Sequence, residues 1–145
     1  MDESFLALRS ALQGRYDLDR LIGRGGMANV YLATDLRHGR PVAVKVLRAN
    51  FGEEGDSERF AREIETAARL QHPNILSVYD SGEANGALFF VMPYVEGETL
   101  RGRLDRENAL PWTVAVSILR EIGDALTYAH GRGVLHRDIK PENIL

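Results

Sequence analysis

The chain has 145 residues, 44% of them apolar and 27% charged, with 18 Lys and Arg against 21 Asp and Glu for a net charge of −3. This composition excludes a chain dominated by disorder and gives no support to nucleic-acid binding. The lack of cysteine excludes disulfides, thiolate metal sites and cysteine nucleophiles, and fits a reducing compartment. Apolar runs such as residues 87–92 are far shorter than the roughly 18 residues of a membrane span. Residues 1–12 mix Asp2, Glu3 and Arg9 with apolar positions, unlike a secretory leader.

Phe5, Leu8 and Leu12, spaced three and four apart, predict a short amphipathic helix over residues 2–12. The period then changes. Residues 16–23, 27–35 and 41–47 read as strands from their β-branched and aromatic content, with a Gly39-containing hairpin loop over 36–40. Residues 52–56 form a polar loop, and 57–71 a helix capped by Asp56 or Ser57. His72-Pro73-Asn74 ends that helix, because the residue before a proline is pushed out of the helical region. Two further strands are expected at 75–81 and 87–94 around a turn at 82–86, then a short helix at 99–106. A long helix over 112–131 carries Ala115, Ile118, Leu119, Ile122, Leu126 and Ala129 along one face. The composition shift at Glu96-Gly97-Glu98 marks the expected boundary between two structural units.

Three features sit oddly in this scheme. In Val42-Ala43-Val44-Lys45-Val46-Leu47, Lys45 falls in a strand whose two faces are both otherwise apolar. An ammonium there needs a partner, an anionic ligand or a path along an edge to water. On the following helix, Glu63 lies within the stripe of Phe60, Ile64, Ala67 and Ala68, where it either reaches Lys45 or joins a solvated edge beside Arg59 and Arg62. Gly23-Arg24-Gly25-Gly26 joins the first two strands; such a turn lets backbone N–H groups approach phosphate oxygens, or simply closes a hairpin. It is neither a Walker A loop, which needs Gly-Lys-Ser/Thr, nor a Rossmann fingerprint, which needs a helix after the glycines.

The specific signal is His136-Arg137-Asp138-Ile139-Lys140-Pro141-Glu142-Asn143. Its six fixed types at fixed spacing would arise by chance on the order of once in a million chains of this length. Here the sequence resembles the eukaryotic-type Ser/Thr protein kinases, from about Tyr16 to Leu145. The resemblance brings the earlier oddities into register. Gly23-x-Gly25-x-x-Ala28-x-Val30 matches the family's glycine-rich loop with Ala28 in place of the third glycine, and Ile22, Arg24, Gly26 and Met27 complete the loop. Val42-Ala43-Val44-Lys45 matches the strand lysine that contacts the α- and β-phosphates, and Glu63 its ion-pair partner. Val91-Met92-Pro93-Tyr94-Val95 is similar to the hinge, with Met92 as gatekeeper. Adenine would donate to the Pro93 carbonyl, so the missing N–H of proline costs nothing, and would meet both backbone groups of Val95. Val30 and Ala43 would cover the ring and Leu145 would floor it.

The resemblance also implies roles in the loop. Asp138 would orient the acceptor hydroxyl and take its proton, Lys140 would contact the transferring phosphoryl group, and Asn143 would ligate Mg2+. Lys140-Pro141-Glu142 is similar to the Ser/Thr branch. Arg137 is similar to kinases controlled by activation-segment phosphorylation, where a phosphate offers the guanidinium a bidentate partner. The wording Gly-Gly-Met-Ala and Tyr-Val-Glu-Gly-Glu-Thr-Leu is similar to bacterial members.

The implied fold is α+β: an N-terminal extension (1–15), a five-stranded antiparallel small lobe with one main helix and the hinge (16–95), and the first helices and catalytic loop of a large lobe (96–145). The implied partners are ATP and proteins bearing Ser or Thr, with no nucleic acid. The implied location is cytoplasmic, or the cytoplasmic part of a membrane-anchored kinase whose anchor lies beyond this chain. The sequence contains no Asp-Phe-Gly and no Ala-Pro-Glu, so it is expected to be the first half of a kinase domain and inactive alone. The alternative is a non-catalytic nucleotide-binding or scaffolding fragment.

Overall fold

The computed structural model describes residues 3–24, 28–47, 62, 64–134 and 144–145. Helix α1 (Glu3–Ala11) leads into strands β1 (Tyr16–Arg24), β2 (Ala28–Asp35), β3 (Arg40–Leu47), β4 (Asp80–Ala84) and β5 (Ala87–Pro93), followed by helices α2 (Leu100–Glu107) and α3 (Trp112–Gly131). The strands form one antiparallel sheet in the order β1-β2-β3-β5-β4. The chain divides into two compact units, residues 1–69 with 77–94, and residues 70–76 with 95–145.

Alternation along the strands separates two faces. Tyr16, Leu18, Tyr31, Ala33, Val42, Val44, Val46, Phe89 and Val91 point to one side, where Phe5, Leu8 and Leu12 of the α1 segment join them in a single core. Val42, Val44 and Val91 are wholly removed from water. The sheet is strongly curled, since Asp80 on one edge strand accepts from Arg15 Nη2 at 2.6 Å and from the Tyr16 hydroxyl at 2.8 Å at the other edge. Burial, the bond to Asp80 and the charge of that carboxylate push the Tyr16 phenol up to about 12.

Asp35, at the end of β2, is the buried charged side chain among the described residues. It organises the β2–β3 turn. Oδ1 accepts from the backbone N–H groups of Arg37 (3.0 Å) and His38 (3.2 Å), and Oδ2 lies 2.8 Å from His38 Nδ1 and 3.4 Å from Arg40 Nε. Burial opposes ionisation, but the bonds from the His38 ring and from the two amides outweigh it and hold the carboxyl below its ordinary value. A lowered carboxyl contributes stability above its unfolded-state pKa and loses it as pH falls through the lowered folded-state value. Asp35→Asn should therefore destabilise the protein at neutral pH and flatten its loss of melting temperature on acidification. Thermal melts from about pH 7 down to pH 3 check this, and parallel profiles for the two proteins would exclude it.

The structure corrects several expected boundaries. The expected strand at 75–81 is irregular up to Tyr79, whose N–H bonds to Val91 O at 2.7 Å, and regular pairing begins at Asp80. Gly82 is not the start of a turn but a strand residue opposite Phe89; a Cβ there would meet the Phe89 ring at 3.2 Å. The turn is the two-residue Asn85-Gly86, both with positive φ (52° and 79°), the hairpin type that matches strand twist. The helix expected over 57–71 is helical at residues 62 and 64–68 and gives way at Arg69, whose N–H bonds to Thr66 O in a tightened last turn. Within its expected stripe Ile64 is buried, but Ala68 is exposed.

In the second unit, Thr99 caps α2 rather than opening it, its Oγ1 accepting from Gly102 N at 3.1 Å. The bounds of α3 agree with the expected helix. It ends as Gly133 takes φ 77° and donates to His130 O, while Val134 N bonds to Ala129 O. On its expected apolar face Ala129 is buried, whereas Leu119 is exposed. Among the described residues, no helix is long and apolar enough to cross a membrane.

Candidate active site

The sheet face opposite the core gathers Ala28, Val30 and Leu32 from β2, Ala43 and Lys45 from β3, and Phe90 and Met92 from β5. Register fixes their neighbours. Lys45 stands between Val30 and Phe90, Ala43 stands between Leu32 and Met92, and Gly23 of β1 faces Val30. Ala28 and Ala43 are buried, and Val30, Lys45, Phe90 and Met92 are half-buried. Lys45 Nζ lies 5.6 Å from the centroid of the Phe90 ring, within cation–π range. A half-buried ammonium between apolar neighbours meets an incoming anion with less screening than a surface charge would. The adjoining small and branched apolar side chains suit a flat ring.

Gly23 has room. A Cβ there would lie 3.6 Å from Val30 Cβ, an ordinary contact, so packing within the sheet does not demand glycine at this position. Ile22 is exposed and falls in the register shift between Leu21 and Gly23, and Arg24 is exposed opposite Asn29. Pro93 ends β5 opposite Val42, on the core row, and Val95 is exposed at the start of the second unit's main segment. Leu145 is exposed in that same unit, beside Ile144, whose carbonyl accepts from Leu100 N at 2.7 Å. Gly25, Gly26, Met27, Glu63, Asp138, Lys140 and Asn143 lie outside the described residues.

The structure thus brings Gly23, Ala28, Val30, Ala43, Lys45 and Met92 to one face. Phe90 and Leu32 belong to the same face and were not anticipated. The alternation that puts Met92 there also puts Phe90 there, two residues earlier, and Leu32 follows Val30 in the same way.

The chain is similar to known proteins over most of its length. The protein kinase domain family matches residues 16–145. The serine/threonine-protein kinase PrkC of Bacillus subtilis is 45% identical over 135 residues, covering 92% of this chain and 21% of that protein. PknB of Mycobacterium tuberculosis is 45% identical over 141 residues, covering 94% of this chain and 22% of that protein. The crystal structure of the Mycobacterium tuberculosis PknI kinase domain aligns with a TM-score of 0.79 at 40% identity, over 90% of this chain and 54% of that one. The fold is that of a protein kinase small lobe, an antiparallel five-stranded sheet with helices. The chain belongs to the protein kinase domain family, and the curated relatives it resembles are named serine/threonine kinases. It spans about a fifth of their length.

Proposed function

We propose that this chain supplies the nucleotide-binding sheet, hinge and catalytic loop of a protein serine/threonine kinase that moves the γ-phosphoryl group of ATP to Ser or Thr hydroxyls of proteins. The observation that carries the reading is the shared face of Val30, Ala43, Lys45 and Met92, with the Val42-Val44-Val46 row turned into the core behind it. The family places an adenine ring and a phosphate-binding ammonium side by side, and a single strand here offers both surfaces one residue-pair apart.

On this reading residues 16–95 form the small lobe with the hinge, and residues 96–145 open the large lobe. Val30 and Ala43 cover the adenine, Leu145 floors it, and Pro93 O and the Val95 backbone meet its edge. Lys45, steadied by Glu63, meets the α- and β-phosphates, while the loop running from Ile22 through Arg24, Gly25, Gly26 and Met27 to Ala28 closes over them. Asn143 supplies an oxygen donor of the kind magnesium prefers, and the ion when bound neutralises charge on the phosphates. Asp138 orients the acceptor hydroxyl and accepts its proton, and Lys140 offsets charge on the group in transfer. Phosphoryl transfer asks little covalent work of the protein, so holding these groups in place accounts for most of the barrier reduction.

The test is transfer of labelled γ-phosphate from ATP with magnesium to a basic protein substrate by the intact protein. Binding of ATP without transfer would favour the alternative of a nucleotide-binding fragment. A second check uses Gly23, where an added Cβ makes only ordinary contacts with Val30 and the backbone is not in the left-handed region. Gly23→Val should leave the melting temperature unchanged or raised, since a β-branched residue suits a strand, and weaken ATP binding about tenfold or more. Titration with a fluorescent ATP analogue measures it, and unchanged affinity would remove Gly23 from the site.

A further inference from the structure

Helix α1 precedes the residues that match the kinase family, which begin at Tyr16, yet its buried side chains belong to the core of the sheet. Phe5, Leu8 and Leu12 belong to the same buried cluster as Val42, Val44 and Val91, and Leu12, at 1% exposure, is among the largest fully buried side chains. The Phe5 ring centroid lies 5.6 Å from that of Tyr31, which pairs with Val44 on β3. The turn that follows the helix is bonded to the strands. Arg15 N and Tyr16 N both donate to Leu12 O at 3.0 Å, and Arg15 O accepts from Leu36 N in the β2–β3 turn at 3.1 Å. Strand β3, whose core row shares that buried cluster with Phe5, Leu8 and Leu12, carries Ala43 and Lys45 on its other side.

We propose that α1 is a positioning element of the nucleotide site, so that docking of α1 on one face of the sheet and binding of nucleotide on the other are thermodynamically linked. The inference rests on the kinase reading of the site. An apolar sheet face needs a covering layer, and Phe5, Leu8 and Leu12 belong to the buried cluster that holds Val42, Val44 and Val91. A helix of nine residues does not hold itself together in isolation, so its opening is a local event below global unfolding. A strand uncovered on one side holds the backbone of Ala43 and Lys45 less firmly. Nucleotide that binds only the covered sheet has its apparent affinity reduced by the fraction of molecules in which α1 is docked. Linkage is reciprocal, so nucleotide must in turn raise that fraction.

The test is amide hydrogen exchange on the intact wild-type protein, with and without a non-hydrolysable ATP analogue and magnesium. The amides of residues 5–12, and that of Tyr16, should exchange about threefold or more slowly with nucleotide, though α1 lies across the sheet from the site. Slowing in β3 with none in α1 would overturn the linkage and leave the kinase reading standing. No slowing in either segment would overturn both. A graded series completes the test: Leu8→Val and Leu12→Val, each verified as folded by circular dichroism, should weaken analogue binding about threefold or more, with Leu8→Met restoring it. Leu6→Gln, on the exposed side of the helix, should change nothing. Unchanged affinity across the folded Leu8 and Leu12 variants would refute the proposal.

Discussion

An intact kinase carrying Asn in place of Asp138 should turn over about 10²- to 10⁴-fold more slowly than wild type, with its KM for ATP unchanged. The two side chains have nearly the same shape, so the loop loses a charge and a proton acceptor but no volume. On the proposed reading Asp138 touches the acceptor hydroxyl and not the nucleotide. The loss therefore belongs in kcat, and in kcat/KM for the protein substrate. Initial rates measured over a range of ATP concentrations separate these terms. A raised KM for ATP with kcat preserved would move Asp138 out of the transfer step and into nucleotide binding. The size of the effect also discriminates between the two functional readings, because a scaffold that binds nucleotide has no turnover for Asp138 to control.

Much of the small lobe was legible because its strands are two-sided in a simple way. Val42, Val44 and Val46 alternate with Ala43 and Lys45, and a period of two is enough to separate the two sets, while the fold decides that the valines face the core. The β4–β5 hairpin was harder to read for a definite physical reason. Gly82 carries the usual mark of a turn, but it lies in a strand with the Phe89 ring close against its backbone; the positive-φ turn falls instead at Asn85-Gly86. Nothing local in residues 75–79 distinguishes an apolar strand from an apolar segment in irregular conformation, and pairing with β5 decides the matter from outside. The role of α1 was hidden in a similar way. Its amphipathic spacing announced a helix, but only the fold shows that its apolar edge joins the core of the sheet, with Phe5 against Tyr31 of β2. Lys45 was conspicuous as a charge in an apolar strand, whereas Phe90, its neighbour across the ladder, is unremarkable in a run of apolar residues until register pairs the two.

That pairing sets the second large effect. Lys45→Met keeps the length and most of the volume of the side chain, and a thioether beside Phe90 retains a favourable contact with the ring. Folding should therefore hold, with a melting temperature close to that of the wild type, because the side chain is only half-buried and methionine keeps most of its packing. Turnover should behave differently. On the proposed reading the ammonium is the charge on β3 that meets the phosphates, and the loss expected for one such preorganised group is about 10²- to 10³-fold. Melting curves and phosphoryl-transfer rates on the same preparations give both halves of the result. Full turnover in a folded Lys45→Met protein would mean that the face shared by Val30, Ala43, Lys45 and Met92 does not hold the nucleotide. A protein that failed to fold would instead make Lys45 part of the sheet's own stability, contrary to its half-buried place beside an aromatic ring.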